Sequence, residues 1–267
     1  MQLFRALVLV SAAGLLAGCN LSSNLPSSYP VGDVSIVDTV VNGRPVMAPV
    51  AVFFDGLNVT LPSSTNVADS CVQASYPLTN PPFIPNGTLY AGDSITVTTD
   101  SGTVQLRPDS AVISGLVYYQ LPTDSAVAFT PGSSMTVTVP GSPTGYPSVA
   151  MQAGTVPPYS FNAIDTMPDP NNFVITWTSP QGPGTALVIS LQFTTDTTTT
   201  TPDQQIYCSL VDDGSVTIPS LLADSWRKAV PASRHLDSYK WKTSFRGTGS
   251  SGLLVRFQHN VSKSVFP

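Results

Sequence analysis

Every acidic side chain in this sequence is an aspartate: sixteen Asp and not one Glu. Only 11 Lys and Arg accompany them, so the long unbranched side chains that favour helices are scarce. Nineteen Gly and 25 Pro punctuate runs of Val, Thr and Ser instead. That palette suits strands joined by tight turns, and the expected class is all-β. A hydrophobic fraction of 42% and a mean hydropathy of +0.15 exclude a disordered chain despite the low charge. With 267 residues, one large or two small domains can each bury a core.

The first residues form a separate unit. Arg5 gives a short positive region, Ala6 to Leu16 is apolar, and the stretch ends in Leu16-Ala17-Gly18-Cys19. At about 11 residues the apolar run is too short for a permanent membrane helix and fits a secretion signal. It resembles the lipobox signal peptide of bacterial lipoproteins. The resemblance implies cleavage after Gly18 and acylation of Cys19 with two or three chains, palmitate among them. A single chain holds a protein marginally and two hold it stably, so the implied membrane attachment is permanent. Asn20 follows the cysteine where Asp would imply inner-membrane retention, and the family pattern then implies the outer membrane, facing either the periplasm or the surface. Residues 19–30 read as the lipidated Cys and a flexible tether.

Beyond the tether, short strand-like runs alternate with turns. Val34–Val41, Val46–Phe54, Ser94–Thr99, Ala111–Leu121 and Ser134–Val139 fill an N-terminal β domain expected over 31–145. The cluster Pro140-Gly-Ser-Pro-Thr-Gly145 marks a boundary. Seven further runs follow: Val156–Phe161, Asn172–Thr178, Ala186–Phe193, Gln205–Val211, Ser215–Ile218, Tyr239–Arg246 and Leu253–Asn260. Seven short strands predict a β-sandwich over 150–267. Within it, Asn172 to Pro180, with Trp177 as a core anchor, resembles the early strands of a fibronectin type III or Ig-like domain. That resemblance implies sandwich topology and no activity. Asp213-Gly214 suits a tight hairpin turn, and Ser220–Lys228 is the one helical candidate, capped by Ser220. In style the whole chain resembles the Thr/Pro-rich β lipoproteins of Gram-negative envelopes.

The chemistry-bearing residues are few. Cys71 and Cys208 remain once Cys19 is acylated; in an oxidising compartment an even pair suggests a disulfide, against two separate buried thiols. No metal site or cofactor is expected: the Asp165–Asn172 and Asp212-Asp213-Gly214 clusters lack calcium-loop spacing and read as turns. A hydrolase would have to use His235 with Asp237 and one of many serines, without a G-x-S-x-G elbow. Tyr118 and Tyr119 offer a weak hint of sugar stacking.

Charge is unevenly spread. Residues 20–225 hold 15 aspartates against Arg44 and Arg107, whereas residues 226–267 hold eight basic residues against Asp237. If the last two strands join through Gly247–Gly252, Lys240, Lys242, Arg246 and Arg256 make one basic face. Such a face would bind an anionic glycan, lipopolysaccharide or an acidic envelope protein, or serve as a solvated strand face that discourages edge pairing. The sequence pI of 4.7 and the export signal disfavour nucleic acid. The expected role is therefore a non-enzymatic envelope lipoprotein, structural or binding, with anionic-ligand recognition as the alternative and a His235 hydrolase behind both.

Overall fold

The computed structural model describes residues 29–41, 43–56, 68–77, 87–113, 115–120, 127–248 and 250–265. Cys19 and the tether up to residue 28 therefore lie outside the described residues.

The fold is all-β. Its first half contains β1 (Tyr29–Val41), β2 (Arg44–Gly56), β3 (Ser70–Ser75), β4 (Ile95–Thr98), β5 (Thr103–Ile113), β6 (Gly115–Gln120), β7 (Val127–Ala128), β8 (Ser134–Val139) and β9 (Val149–Gly154). The second half contains β10 (Phe173–Thr176), β11 (Gly182–Phe193), β12 (Gln204–Asp212), β13 (Ser215–Ile218), the helix α1 (Ser220–Arg227), β14 (His235–Thr248) and β15 (Ser251–Ser264). Alternation accounts for most of these strands. In β8, Met135, Val137 and Val139 are buried and the residues between them are not, the period-2 pattern of a half-buried strand. Gly43, at a φ of +75°, supplies the left-handed residue that the tight turn between β1 and β2 requires.

Thirteen strands form one sheet, in the order β3-β12-β11-β14-β15-β1-β2-β6-β5-β4-β8-β9, with β7 beside β2. Almost every neighbour pair is antiparallel. The exception joins the two ends of the chain: β1 lies parallel to β15, from Val31 opposite Gly252 to Val37 opposite Gln258. The sheet also curls back on itself. Tyr146, just before β9, donates its hydroxyl to the carbonyl of Gly252 in β15 at 2.9 Å, and Arg246 of β14 donates to Ala150 of β9.

Two large apolar cores form among the described residues. One is enclosed by β1, β2, β4–β6, β8, β9 and the start of β15, with Phe53 against Tyr118 and Tyr146 at its centre. The other lies between β11, β12 and β14 and a cover made of β10, β13 and α1, with Trp177 and Trp226 inside it. The two cores correspond broadly to the two halves, yet each half lends a strand to the other. Leu253, Val255 and Phe257 of β15 complete the first core. Strand β3, from the first half, pairs with β12 and brings Cys71 to the second. No boundary near residue 145 separates the strands cleanly.

Several local expectations change. Ala111–Leu121 is not one strand but the end of β5, a reversal and β6. Val156–Phe161 holds only an isolated bridge from Phe161 to Trp177, while β9 lies just before it, where the sequence predicts no strand. Asp213-Gly214 does not close a hairpin within one sheet: β12 belongs to the large sheet and β13 pairs with β10 in the cover. Gly214, at a φ of +104°, lets the chain turn between those layers. Helix α1 starts after Pro219 with no side-chain cap, so Ser220 is its first residue rather than its cap. Among the described residues no helix is long and apolar enough to cross a membrane.

Candidate functional site

The basic residues of the last two strands do not share a face. Strands β14 and β15 close at Thr248 opposite Ser251, which sets Lys240 opposite His259, Lys242 opposite Phe257 and Thr243 opposite Arg256. Opposed residues of an antiparallel pair project to the same side. Arg256 therefore joins Trp241 and Thr243, while Lys240, Lys242 and Arg246 project to the opposite side. Strands joined through Gly247–Gly252 already set Arg246 opposite Leu253, the register observed; in it Arg256 faces the odd-numbered Thr243 and so alternates away from the even-numbered Lys240, Lys242 and Arg246.

Burial separates the four further. Arg256 is 4% exposed; its Nε donates to Asp33 Oδ1 at 3.3 Å and its Nη2 pairs with Asp33 Oδ2. Lys242 is half-buried with its amine over Gly154, and Arg246 is exposed. Lys240 is wholly buried, and a polar cluster surrounds it.

That cluster is assembled from five segments. Lys240, on β14, points into the second core, and its Nζ lies 3.0 Å from Oδ2 of Asp212, the last residue of β12. Both side chains are fully shielded from solvent. Trp177 donates its Nε1–H to Asp212 Oδ1 at 2.7 Å, and the backbone N–H of Gln181 donates to Oδ2 at 2.8 Å. Lys240 Nζ also donates to the Ser179 carbonyl at 2.8 Å and sits 4.6 Å from the centre of the Tyr159 ring. The Tyr159 hydroxyl meets Ser238 Oγ at 2.7 Å, and Ser238 donates to the Val188 carbonyl at 2.8 Å. Burial pushes the Lys240 amine below the ordinary lysine value, with Asp212 pulling the other way. Burial likewise raises the Tyr159 phenol well above its usual value.

His259, opposite Lys240, extends the cluster: its ring meets Tyr159 edge-on at 5.6 Å, and its Nδ1 pairs with Asp38 of β1. Sequence reasoning found Trp177 as a core anchor but not its partner. Only one signal pointed to Asp212, its place at the end of an alternating strand where the period predicts an inward side chain.

A second cluster lies on the outer side of the sheet. His235 Nε2 is 3.0 Å from Asp237 Oδ1 and 2.9 Å from Ser262 Oγ, and Gln192 donates to Asp237 Oδ2 at 2.6 Å. Three residue types of a hydrolytic triad thus meet, but in the wrong arrangement. A relay needs the carboxylate on one ring nitrogen and the serine on the other. Here both meet the same nitrogen, and Ser262 donates its proton directly to Asp237 at 2.6 Å.

Other sequence candidates have structural partners. Cys71 and Cys208 are disulfide-bonded directly across β3 and β12, closing a loop with a sequence separation of 137. The Tyr118 ring is fully buried, donating to the Gly92 carbonyl and accepting from Ala91 N–H; the Tyr119 side chain lies outside the described residues. Asp165, Asp169 and Asp213 each accept the backbone N–H two residues on, the turn-forming use of Asp. Among the described residues no three metal-ligating side chains gather.

Comparison with known proteins returns no matching family model, no similar curated protein and no similar solved structure.

Proposed function

We propose that this chain is an envelope lipoprotein, held at the outer membrane through acylated Cys19, with a structural or binding role rather than a catalytic one. The observation that carries the reading is how the reactive side chains are engaged. His235 and Ser262 both bond to Asp237 in a geometry that leaves no proton relay. Lys240, Arg256 and His259 are each paired with an aspartate inside the fold. The lipobox supplies the anchor, and the disulfide suits an oxidising compartment.

The test has two parts. Cells expressing the chain and fed labelled palmitate should label it, and Cys19→Ala should abolish the label and release the protein from the membrane fraction. Turnover against a broad hydrolase panel, lost in His235→Ala, would overturn the non-catalytic reading.

One observation favours a second reading, recognition of an anionic glycan or lipopolysaccharide. On the side of β14 and β15 that carries Arg256, three buried polar atoms have no hydrogen-bond partner among the described residues: Trp241 Nε1, Thr243 Oγ1 and Arg256 Nη1. Two are nitrogen donors and the third is a hydroxyl, a set that an acceptor-rich ligand would satisfy. Binding to lipopolysaccharide that weakens with salt and with Arg256→Gln supports this reading; binding indifferent to both removes it.

A further inference from the structure

We propose that Lys240 and Asp212 condense to an isopeptide bond, a covalent cross-link between β14 and β12 that the folded chain makes by itself.

Geometry comes first. Strands β12 and β14 flank β11, so their backbones stand about 9.6 Å apart, two strand spacings. Side chains so separated are ordinarily kept apart by those of the strand between them. Here β11 shifts register between Gly182, the residue opposite Asp212, and Ala186. Lys240 and Asp212 nonetheless meet, with 3.0 Å between Nζ and Oδ2, which sets the amine beside the carboxyl group it would attack.

The surroundings favour the free amine and then the reaction. Both side chains are fully buried, where an ammonium and a carboxylate lose their hydration. Burial is the largest influence on the Lys240 amine and lowers its proton affinity, moving it toward the nucleophilic free base. The carboxyl is held by two fixed donors, Trp177 Nε1–H on Oδ1 and Gln181 N–H on Oδ2. The first is placed to stabilise the negative charge that grows on Oδ1 as Cγ becomes tetrahedral. The Ser179 carbonyl and the Tyr159 ring fix Nζ from its other sides.

The step balances without any outside reagent. A proton passes from the Lys240 ammonium to Asp212 Oδ2, leaving an amine and a carboxylic acid. The Nζ lone pair then bonds to Asp212 Cγ and the Cγ–Oδ2 bond breaks. Oδ2 departs as water, carrying the first proton and a second one released by the nitrogen. Nothing is oxidised or reduced. Two charges in a dry interior give way to one neutral amide, whose remaining oxygen keeps the Trp177 hydrogen bond.

Peptide mass mapping of the purified full-length protein, after reduction of the disulfide and combined tryptic and chymotryptic digestion, tests this directly. The expected result is a branched peptide joining the Asp212 and Lys240 segments, lighter by one water than their sum, with no cleavage by trypsin after Lys240. Recovery of both segments only as separate, unmodified peptides from the wild-type chain overturns the proposal. Because the wild type alone decides, poor folding of a variant does not obscure the outcome. In Asp212→Ala the branched peptide should vanish completely; its persistence would show that Lys240 reacts elsewhere and overturn the assignment.

Discussion

Around β4, β8 and β9 the interior consists of Ile95, Val97, Val137 and their apolar neighbours, and its buried polar atoms include tyrosine hydroxyls bonded to backbone. Around β11, β12 and β14 the interior holds a buried lysine, a buried aspartate and a disulfide among its apolar side chains. Arg234, also buried, donates to the Arg227 and Ala229 carbonyls there and lies 5.5 Å from the Trp226 ring centre. The first region is closed by a sheet that curls until its edge meets its middle. The second has a separate cover over an open sheet, and an open layer can slide. Specific polar and covalent ties fix the cover and the edge strand where shape alone would leave freedom.

The contrast can be broken by mutation, and the largest effect should come from the second region. Asp212→Ala strands a fully buried ammonium and removes the acceptor of Trp177, so unfolding in urea should show a loss of about 3–5 kcal/mol. A loss below about 1 kcal/mol would mean that this region is held by packing, like its neighbour. Replacing both Cys71 and Cys208 by Ser should cost about 2–4 kcal/mol, because the open chain regains the freedom of a long loop. Protection of the β3 amides from hydrogen exchange should fall first, since β3 is a sheet edge.

Smaller effects belong to the first region. Tyr146→Phe deletes one hydrogen bond to the Gly252 carbonyl while keeping the ring against Phe53, and should cost about 1 kcal/mol in the same titration. The smallest is a pH effect at the turn between β4 and β5. Hydrogen bonds from Thr130 hold the exposed Asp100 carboxyl below its usual value. The folded form therefore keeps Asp100 ionised where the unfolded chain takes up a proton. That contribution is present above the ordinary carboxylate value of about 4 and is lost as pH falls through the lower folded value. Thermal midpoints measured from about pH 6 down to about pH 2 should fall slightly less steeply for Asp100→Asn than for the wild type.

Much of the strand content was legible because period-2 alternation reports burial directly. Phe173, Ile175 and Trp177 share a buried face, as do Leu187, Ile189, Leu191 and Phe193. What escaped lies where burial does not alternate or partners are remote in sequence. Strand β3 is polar and mostly exposed, so Ser70–Ser75 carries no hydrophobic signal. Strand β9 follows closely on the Pro- and Gly-rich cluster that reads as a boundary. The candidate site failed for a sharper reason. A lysine or arginine in an alternating strand reads as solvated unless its carboxylate is known, and the carboxylates of Lys240 and Arg256 stand at Asp212 and Asp33. Only the folded sheet makes those pairs neighbours.

The parallel alignment of β1 with β15 sets how the molecule would respond to being pulled. Its two ends leave adjacent strands in opposite directions, one before Tyr29 and the other after Ser264. Tension between them acts along the strands, across the ladder from Val31–Gly252 to Val37–Gln258. Hydrogen bonds loaded in shear must give way together, whereas bonds at a hairpin mouth peel one at a time. A chain tethered at its first residues and tugged at its last would therefore meet its strongest mechanical resistance at this seam.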